Sequence, residues 1–223
     1  MDIYEIVKAR HSVRSYTDKK IEGDTLEKLN SEIKECIEES NLNIQLILNE
    51  ENAFGKSHYG NFKNCRNYIL IIGDKKDNKL DEKAGYYGER IVLKAQELGL
   101  NTCWVALTYN RDEVPYKMKD NEKIAIVIAI GYGETEGVQH KSKSFKSVSK
   151  STENLPYWYM RGIEFALLAP TAINQQKFRF ELKDGKKVSV KVPAIGICTK
   201  IDLGIVKYHF EIGAGKDNFD WEQ

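Results

Sequence analysis

The run from Ile124 to Ile130 (IAIVIAI) is apolar at every position, and it constrains the fold more than any other feature of the chain. Successive side chains of a β-strand point to opposite faces of the sheet, so a strand of this composition is buried on both faces. The run from Tyr68 to Ile72 (YILII) is closed by Gly73 and Asp74 and favours a second strand. The sequence therefore predicts a sheet with a central strand that is covered on both sides.

Periodic apolar positions predict the remaining elements. Helical spacing, with a C-cap signal at Gly99, predicts amphipathic helices over residues 2–9, 24–39, 82–98, 157–168 and 202–212. Short apolar or β-branched runs predict further strands over residues 43–48, 101–107, 178–182 and 188–192. The order of these elements is that of an α+β or α/β domain.

The composition is typical of a globular protein, and we expect its partners to be small molecules. Of the 223 residues, 41% are hydrophobic, and the formal net charge of +1 gives no electrostatic reason to expect a nucleic-acid partner. The four cysteines form no CxxC pair and do not cluster with the four histidines, so we expect no metal site. We find no signal pattern and no apolar run of ~18 to 20 residues, so we expect no membrane partner and a cytoplasmic location.

A change of composition divides the chain. Residues 137–156 are rich in Lys and Ser, which favours a solvated connecting segment between residues 1–136 and 157–223. IVLKAQELG (Ile91 to Gly99) and IVKYHFEIG (Ile205 to Gly213) share Ile, Val, Glu and Gly at a constant offset. Both parts of the chain also contain the predicted order helix, strand, strand, helix. We interpret them as two related halves of one compact unit, although two apolar helices can share such letters by chance.

The segment Ala9 to Tyr16 (ARHSVRSY) alternates Arg10, Ser12 and Arg14. In an extended segment these three side chains lie on one face, where two guanidinium groups and a hydroxyl could bind one anion. The alternative is two surface arginines and a helix-capping serine. Other motifs decide between these interpretations.

Five motifs together resemble the nitroreductase superfamily of FMN-dependent oxidoreductases. They are RHSVR (Arg10 to Arg14), LGLNTCW after a long helix, an apolar strand that ends in GYG, a basic KSK (Lys141 to Lys143), and APTAINQQKF (Ala169 to Phe178). We call the last motif the hinge. Its late position in the chain is similar to the arrangement in the divergent TM-type nitroreductases. Asn101, Lys177 and Phe178 depart from the family pattern, which has Gly, Pro and Trp there.

The resemblance implies the residues that bind FMN. The opening motif meets the phosphate, the ribityl chain and, through Arg14, the N1 and O2 edge of the ring, where it stabilises charge. The LNTCW turn approaches N5 and O4, and the lysines meet the phosphate. The implied cofactor-binding residues are Arg10, His11, Ser12, Arg14, Thr102, Cys103, Trp104, Lys141, Lys143, Pro170, Thr171, Ala172, Asn174 and Gln176.

The resemblance also implies the activity: an FMN-dependent oxidoreductase that uses NADH or NADPH to reduce a nitroaromatic, a quinone or a related small acceptor by two-step hydride transfer through the flavin. No residue is assigned as a general acid. Two alternatives remain open at this point. One is a flavin-binding or redox-sensing protein with little turnover, and the other is a member that fragments flavin or dehalogenates its substrate.

The implied fold is nitroreductase-like, with a central, mostly antiparallel sheet flanked by helices. In ordinary members the hinge comes soon after the opening motif and contacts the FMN of the partner subunit in an interlocked homodimer. Here RHSVR, KSK and the hinge each occur once, with the hinge in the second half. We therefore predict a site assembled within one chain, in a monomer that is a pseudo-dimer, while a homodimer remains possible.

Overall fold

The computed structural model describes residues 2–54 and 62–222. In this part of the chain the α-helices are α1 (Ile3–Ala9), α2 (Gly23–Ser40), α3 (Leu80–Glu97), α4 (Phe145–Val148), α5 (Tyr157–Ala166) and α6 (Thr199–Ala214). The strands are β1 (Asn43–Ile47), β2 (Tyr68–Asp74), β3 (Asn101–Val105), β4 (Glu122–Gly131), β5 (Arg179–Lys183), β6 (Lys187–Lys191) and β7 (Asp220–Trp221). No helix of these ranges is both long and apolar enough to cross a membrane.

The main sheet has the strand order β1-β2-β4-β3, and all its pairs are antiparallel. β2 and β4 are its inner strands, and residues 126–131 of β4 are buried. The prediction of a strand buried on both faces is confirmed. The two faces are covered differently, because α2, α3 and α6 pack on one face, whereas Val13, Tyr16, Phe54 and Val114 pack on the other.

The second half forms a smaller sheet, β5-β6-β7, in which β6 pairs with β5 in antiparallel and with β7 in parallel orientation. Its apolar face meets α6 through a stack of the Phe180 and Phe210 rings, whose centroids lie 4.8 Å apart. The sequence patterns predict neither β7 nor α4, because β7 has only two residues and α4 only four. α4 lies within residues 137–156, the predicted connecting segment.

Residues 137–156, which connect the two halves in sequence, are mostly exposed, yet they contact the second half at several points. Ser149 forms a parallel bridge with Phe180, and the Lys150 amide donates to the Phe180 carbonyl at 2.8 Å. Ser142 Oγ donates to the Leu167 carbonyl at 2.9 Å. This segment is therefore held against the hinge and β5.

Helices α3 and α6 cross where two glycines meet the opposite backbone. A Cβ on Gly85 would collide with the Ile201 carbonyl, and one on Gly204 would collide with the Glu82 carbonyl. The two contacts are reciprocal, and they make residue 82 equivalent to residue 201 and residue 85 equivalent to residue 204, an offset of 119 positions. The matching letters of residues 91–99 and 205–213 have an offset of 114 positions, so the sequence match and the helix packing do not share one register. Both halves contain helix, strand, strand, helix in that order, and their kinship stays a prediction.

Candidate functional site

A cavity of about 390 Å³ lies where the opening motif, the end of β3, the hinge and the start of α6 converge. Its volume falls within the ~300 to 1,000 Å³ of small-molecule sites. The residues that line it come from both halves of the chain: Ser12, Arg14, Phe62, Trp104, Val105, Ala106, Leu107, Thr108, Ile126, Pro170, Thr171, Ala172, Ile173, Ile197, Cys198, Ile201, Asp202 and Ile205. A larger open depression beside β1 shares none of the predicted residues.

The RHSVR motif runs alongside the outer edge of β3. Ser12 forms a parallel bridge with Thr102, and the Val13 amide donates to the Thr102 carbonyl at 3.0 Å. Val13 and Tyr16 are buried beneath the segment, and the Tyr16 hydroxyl donates to the Val13 carbonyl at 2.7 Å. These anchors leave Ser12 and Arg14 exposed at the cavity.

Arg10 does not share that face, which corrects the expectation that Arg10, Ser12 and Arg14 lie together. Arg10 is the C-cap of α1 and its side chain is buried. Its Nε lies 3.7 Å from Glu89 Oε1 and, among the described residues, has no hydrogen-bond partner. Burial lowers the pKa of the Arg10 guanidinium and the Glu89 carboxylate opposes this shift. The buried Glu89 carboxylate therefore explains why the Arg10 side chain points into the interior.

The Glu89 carboxylate is fully buried and is shared by three groups. Its Oε2 accepts a hydrogen bond of 2.9 Å from Trp104 Nε1, and its Oε1 lies 2.8 Å from His209 Nε2. His209 Nδ1 lies 3.1 Å from the Phe165 carbonyl. A carbonyl and a carboxylate are both acceptors, so a proton must lie between Nε2 and Oε1. Glu89 thus fixes the indole that forms one wall of the cavity.

Asn101, one of the departures from the family pattern, organises the turn that supports the opening motif. Its Oδ1 accepts from the Gly133 amide at 2.9 Å, and its Nδ2 donates to Glu136 at 3.2 Å. Gly137 follows at φ 73°, where an added Cβ would lie 2.8 Å from His11 Cβ. A side chain at 137 would therefore displace the motif.

The hinge has a strained backbone. Ile173, Asn174 and Gln176 have φ values of 49°, 53° and 43°, in the left-handed region. For an L-residue such as isoleucine this region costs about 1 to 2 kcal/mol. Strain of this kind persists where surrounding contacts determine the backbone, and it concentrates at functional sites.

One set of the contacts that hold the hinge backbone comes from the KSK segment. Asn174 Nδ2 and Gln176 Nε2 donate to the Lys141 carbonyl at 3.1 and 3.0 Å. Lys143 Nζ donates to the carbonyls of Gln175 and Gln176 at 2.8 and 3.1 Å. Lys143 does not line the cavity, so we assign its ammonium group to the hinge carbonyls instead of a phosphate.

The other set comes from Asp202, in the first turn of α6. Asp202 Oδ1 accepts from the Ala172 amide at 2.9 Å, and Oδ2 accepts from Gln175 Nε2 at 2.7 Å. Gln175 Nε2 also donates to the Ile197 carbonyl at 2.8 Å. Burial raises the pKa of Asp202 to about 6, although the two N–H donors act to lower it.

Of the predicted site residues, the structure brings Ser12, Arg14, Trp104, Pro170, Thr171 and Ala172 to the cavity. The remaining predicted residues lie outside its lining: Arg10, His11, Thr102, Cys103, Lys141, Lys143, Asn174 and Gln176. Sequence reasoning missed Asp202, which resembles an ordinary acidic residue of a first helical turn. It also missed Glu89, although a carboxylate on the buried face of α3 with Gly85 and Val92 is a detectable signal.

The comparisons with known proteins identify the family of the chain. The family described as "Putative TM nitroreductase" matches residues 2–214. The chain belongs to this nitroreductase family. A crystal structure of a putative nitroreductase from Thermotoga maritima is 25% identical over 97% of this chain and 85% of that chain, with a TM-score of 0.64. The predicted family and the predicted nitroreductase-like fold are both confirmed.

Other nitroreductase structures match a smaller part of the chain. A family protein from Clostridium difficile is 25% identical over 60% of this chain and 86% of its own, with a TM-score of 0.50. A putative nitroreductase in complex with FMN from Desulfovibrio desulfuricans is 16% identical over 70% of this chain and 99% of its own, with a TM-score of 0.56. The latter supports the fold alone. No curated protein matches the chain.

The buried carboxylate of this nitroreductase gives a first prediction. Glu89→Ala leaves Arg10 and His209 without their anion, so we expect it to lower the free energy of unfolding by about 3 to 5 kcal/mol. Glu89→Gln should cost less, because its amide can accept from Trp104 and donate to a neutral His209. Urea denaturation measures both.

Glu134→Ala is the control for Glu89→Ala, because Glu134 pairs with the exposed Lys63 at 2.8 Å, and exposed ion pairs contribute little to the free energy of unfolding. Equal losses in Glu89→Ala and Glu134→Ala would contradict the structural role of Glu89.

The second prediction concerns Asp202 and pH. Its pKa is raised from 3.8 to about 6, so folding favours the protonated carboxyl. This contribution to stability is complete below about pH 4 and is lost as the pH rises through 6. We expect the free energy of unfolding of the wild type to fall by about 3 kcal/mol more across this window than that of Asp202→Asn. Denaturation at each pH measures the difference.

Asp217→Asn is the control for Asp202→Asn, since Asp217 is exposed and should leave the wild-type pH dependence intact. Identical pH profiles for the wild type and Asp202→Asn would show that the Asp202 carboxyl is not perturbed.

Proposed function

We propose that the protein is an FMN-dependent oxidoreductase that reduces small acceptors at the cavity described above. The observation that carries this proposal is the convergence of Ser12 and Arg14, Trp104, and residues 170–172 on one cavity. These residues come from three separate motifs of the family resemblance and from both halves of the chain. The family match supports an oxidoreductase.

The residues present fit an anionic, planar cofactor. Arg14 lines the cavity, and no ion pair involves it among the described residues. Arg10 begins the same motif, but its buried Nε faces Glu89 at 3.7 Å and lies outside the cavity lining. An anion in the cavity would therefore supply acceptors for the guanidinium group of Arg14. Trp104, Ile126 and Ile205 give the cavity apolar walls suited to a ring system.

FMN, when bound, would accept two electrons from NADH or NADPH and pass them to a nitroaromatic, a quinone or a related acceptor. Arg14 would stabilise negative charge at the N1 and O2 edge of the ring. Trp104, held by Glu89, would form a fixed wall. The hinge would close the opposite side through Pro170, Thr171 and Ala172.

The remaining predicted residues receive different roles in this proposal. Arg10 and His11 precede Ser12 in the opening motif, and the family resemblance assigns this part of the motif to the phosphate end of FMN. Thr102 and Cys103 position the opening motif through β3, and Lys141 stays a predicted phosphate contact. Asn174 and Gln176 would hold the hinge shape from outside the cavity, because their side chains bind the Lys141 carbonyl.

The site draws on both halves within one chain, which supports a monomer that binds one FMN. The opening motif and the hinge each occur once in the chain, and residues of both line this one cavity.

The third prediction tests the cofactor. The purified protein should show the absorption bands of bound flavin, and Arg14→Ala should weaken FMN binding roughly tenfold to a hundredfold, because one charge-assisted contact is lost. Since Arg14 is assigned to the ring, riboflavin binding should weaken by the same factor. Equilibrium titration monitored by flavin fluorescence measures both dissociation constants.

Arg179→Ala is the matched control, because Arg179 is exposed on β5 and does not line the cavity. A wild-type protein that binds no flavin would overturn the proposed function. If Arg14→Ala retained full affinity, the assignment of the opening motif would be wrong. Steady-state oxidation of NADH or NADPH with a quinone acceptor then tests turnover.

A further inference from the structure

Three of the aliphatic side chains that line the cavity are largely exposed to solvent. Leu107, Ile173 and Ile197 are 82%, 80% and 54% exposed, and all three line the cavity. They come from three separate segments, after β3, in the hinge and before α6. We call these three residues the aliphatic mouth. Their convergence from distant parts of the chain makes this patch part of the site and not a scatter of surface residues.

Ile173 is the member that the sequence would least favour at its position. A β-branched residue with φ of 49° is a genuine outlier, whereas asparagine or glycine adopts this conformation readily. Its side chain gains little burial in return, since most of it faces solvent. Strain without compensating burial points to a functional contact.

The surrounding contacts hold Ile173 in place. Asp202 accepts from the amide of the preceding residue, Ala172, and from the side chain of Gln175. Gln175 in turn donates to the carbonyl of Ile197. Two of the three mouth residues therefore belong to one hydrogen-bonded assembly, and their spacing is fixed.

The Asp202 carboxylate of this hydrogen-bonded assembly is also the negatively charged group at the mouth. Asp202 lines the cavity next to Ile173, and no described lysine or arginine lies within ion-pair distance of its carboxylate. Above its pKa of about 6 this group is ionised. Among the described residues that line the cavity, the cation is Arg14, which belongs to the opening motif and is assigned to the flavin. From these described residues, an anionic ligand at the mouth would meet a carboxylate and aliphatic carbon.

We propose that Ile173, together with Leu107 and Ile197, determines acceptor specificity by binding the apolar face of an uncharged, planar acceptor, and that Asp202 disfavours anionic ones. The inference rests on the proposed function, because the acceptor must reach the flavin. It names an occupant for the mouth: a neutral aromatic acceptor of the size of a two-ring quinone.

The test uses the FMN-loaded, oxidised protein at pH 8 and measures binding instead of turnover. The probes are 2-methyl-1,4-naphthoquinone, which is neutral, and 1,4-naphthoquinone-2-sulfonate, which has the same rings and a negative charge. Perturbation of the flavin absorption spectrum reports each dissociation constant. We expect the wild type to bind the neutral quinone more tightly than the sulfonate.

Ile173→Asn removes the aliphatic contact and relieves the strain. We expect the dissociation constant of the neutral quinone to rise roughly three- to tenfold, while the affinity for FMN stays within about twofold. The melting temperature should rise by roughly 2 to 4 °C, because asparagine tolerates the left-handed conformation. A merely structural residue would not improve stability and weaken acceptor binding in the same variant.

Two further variants make the test independent of strain. Leu107→Asn should weaken binding of the neutral quinone without raising the melting temperature, since Leu107 is not among the residues with positive φ. Ile195→Asn is the matched control, because Ile195 is 90% exposed and does not line the cavity. It should leave quinone binding at the wild-type value.

Several outcomes would overturn the proposal. Unchanged affinity for the neutral quinone in Ile173→Asn, or equal wild-type affinity for the two quinones, would show that the mouth does not select the acceptor. Light scattering that shows a wild-type dimer and a monomeric Ile173→Asn would assign the mouth to a second copy of the chain. Failure of the wild type to bind FMN would instead refute the proposed function.

Discussion

The buried carboxylate of Glu89 is the interaction on which the arrangement of the site depends. It connects α3 with Arg10 at the start of the opening motif, with Trp104 on β3 and with His209 on α6. Removing one partner from such a group leaves an uncompensated charge in the interior, so the elements are positioned together. The cavity is the space that these elements enclose with the hinge.

The hinge is held in place by contacts from two sides. A strained backbone at Ile173 is held between Asp202 on one side and the Lys141 to Lys143 segment on the other. Both supports belong to this chain, as do Ser12 and Arg14 across the cavity. In the proposed function, the second half supplies the side of the site that, according to the resemblance, a partner subunit provides in ordinary members of the superfamily.

The sequence predicts the main sheet and the three motifs that converge on the cavity, because burial on both faces of β4 and the spacing of the motifs are local patterns. It does not predict which way a motif residue points. Arg10 turns inward because of Glu89, which lies 79 positions further along the sequence on another helix. Lys143 binds hinge carbonyls that only the tertiary fold brings near. The conformation of Ile173 has no signal at all, since its residue type argues against a left-handed backbone.

The most direct test of assembly within one chain is to co-express Arg14→Ala with Ala172→Trp, which fills the cavity from the hinge side. Each variant alone should bind FMN poorly. If each site is built from one chain, the co-expressed mixture contains no intact site, and its FMN affinity stays as poor as that of the separate variants. A fraction of sites with wild-type affinity in the mixture would show that subunits share the site and would contradict this account.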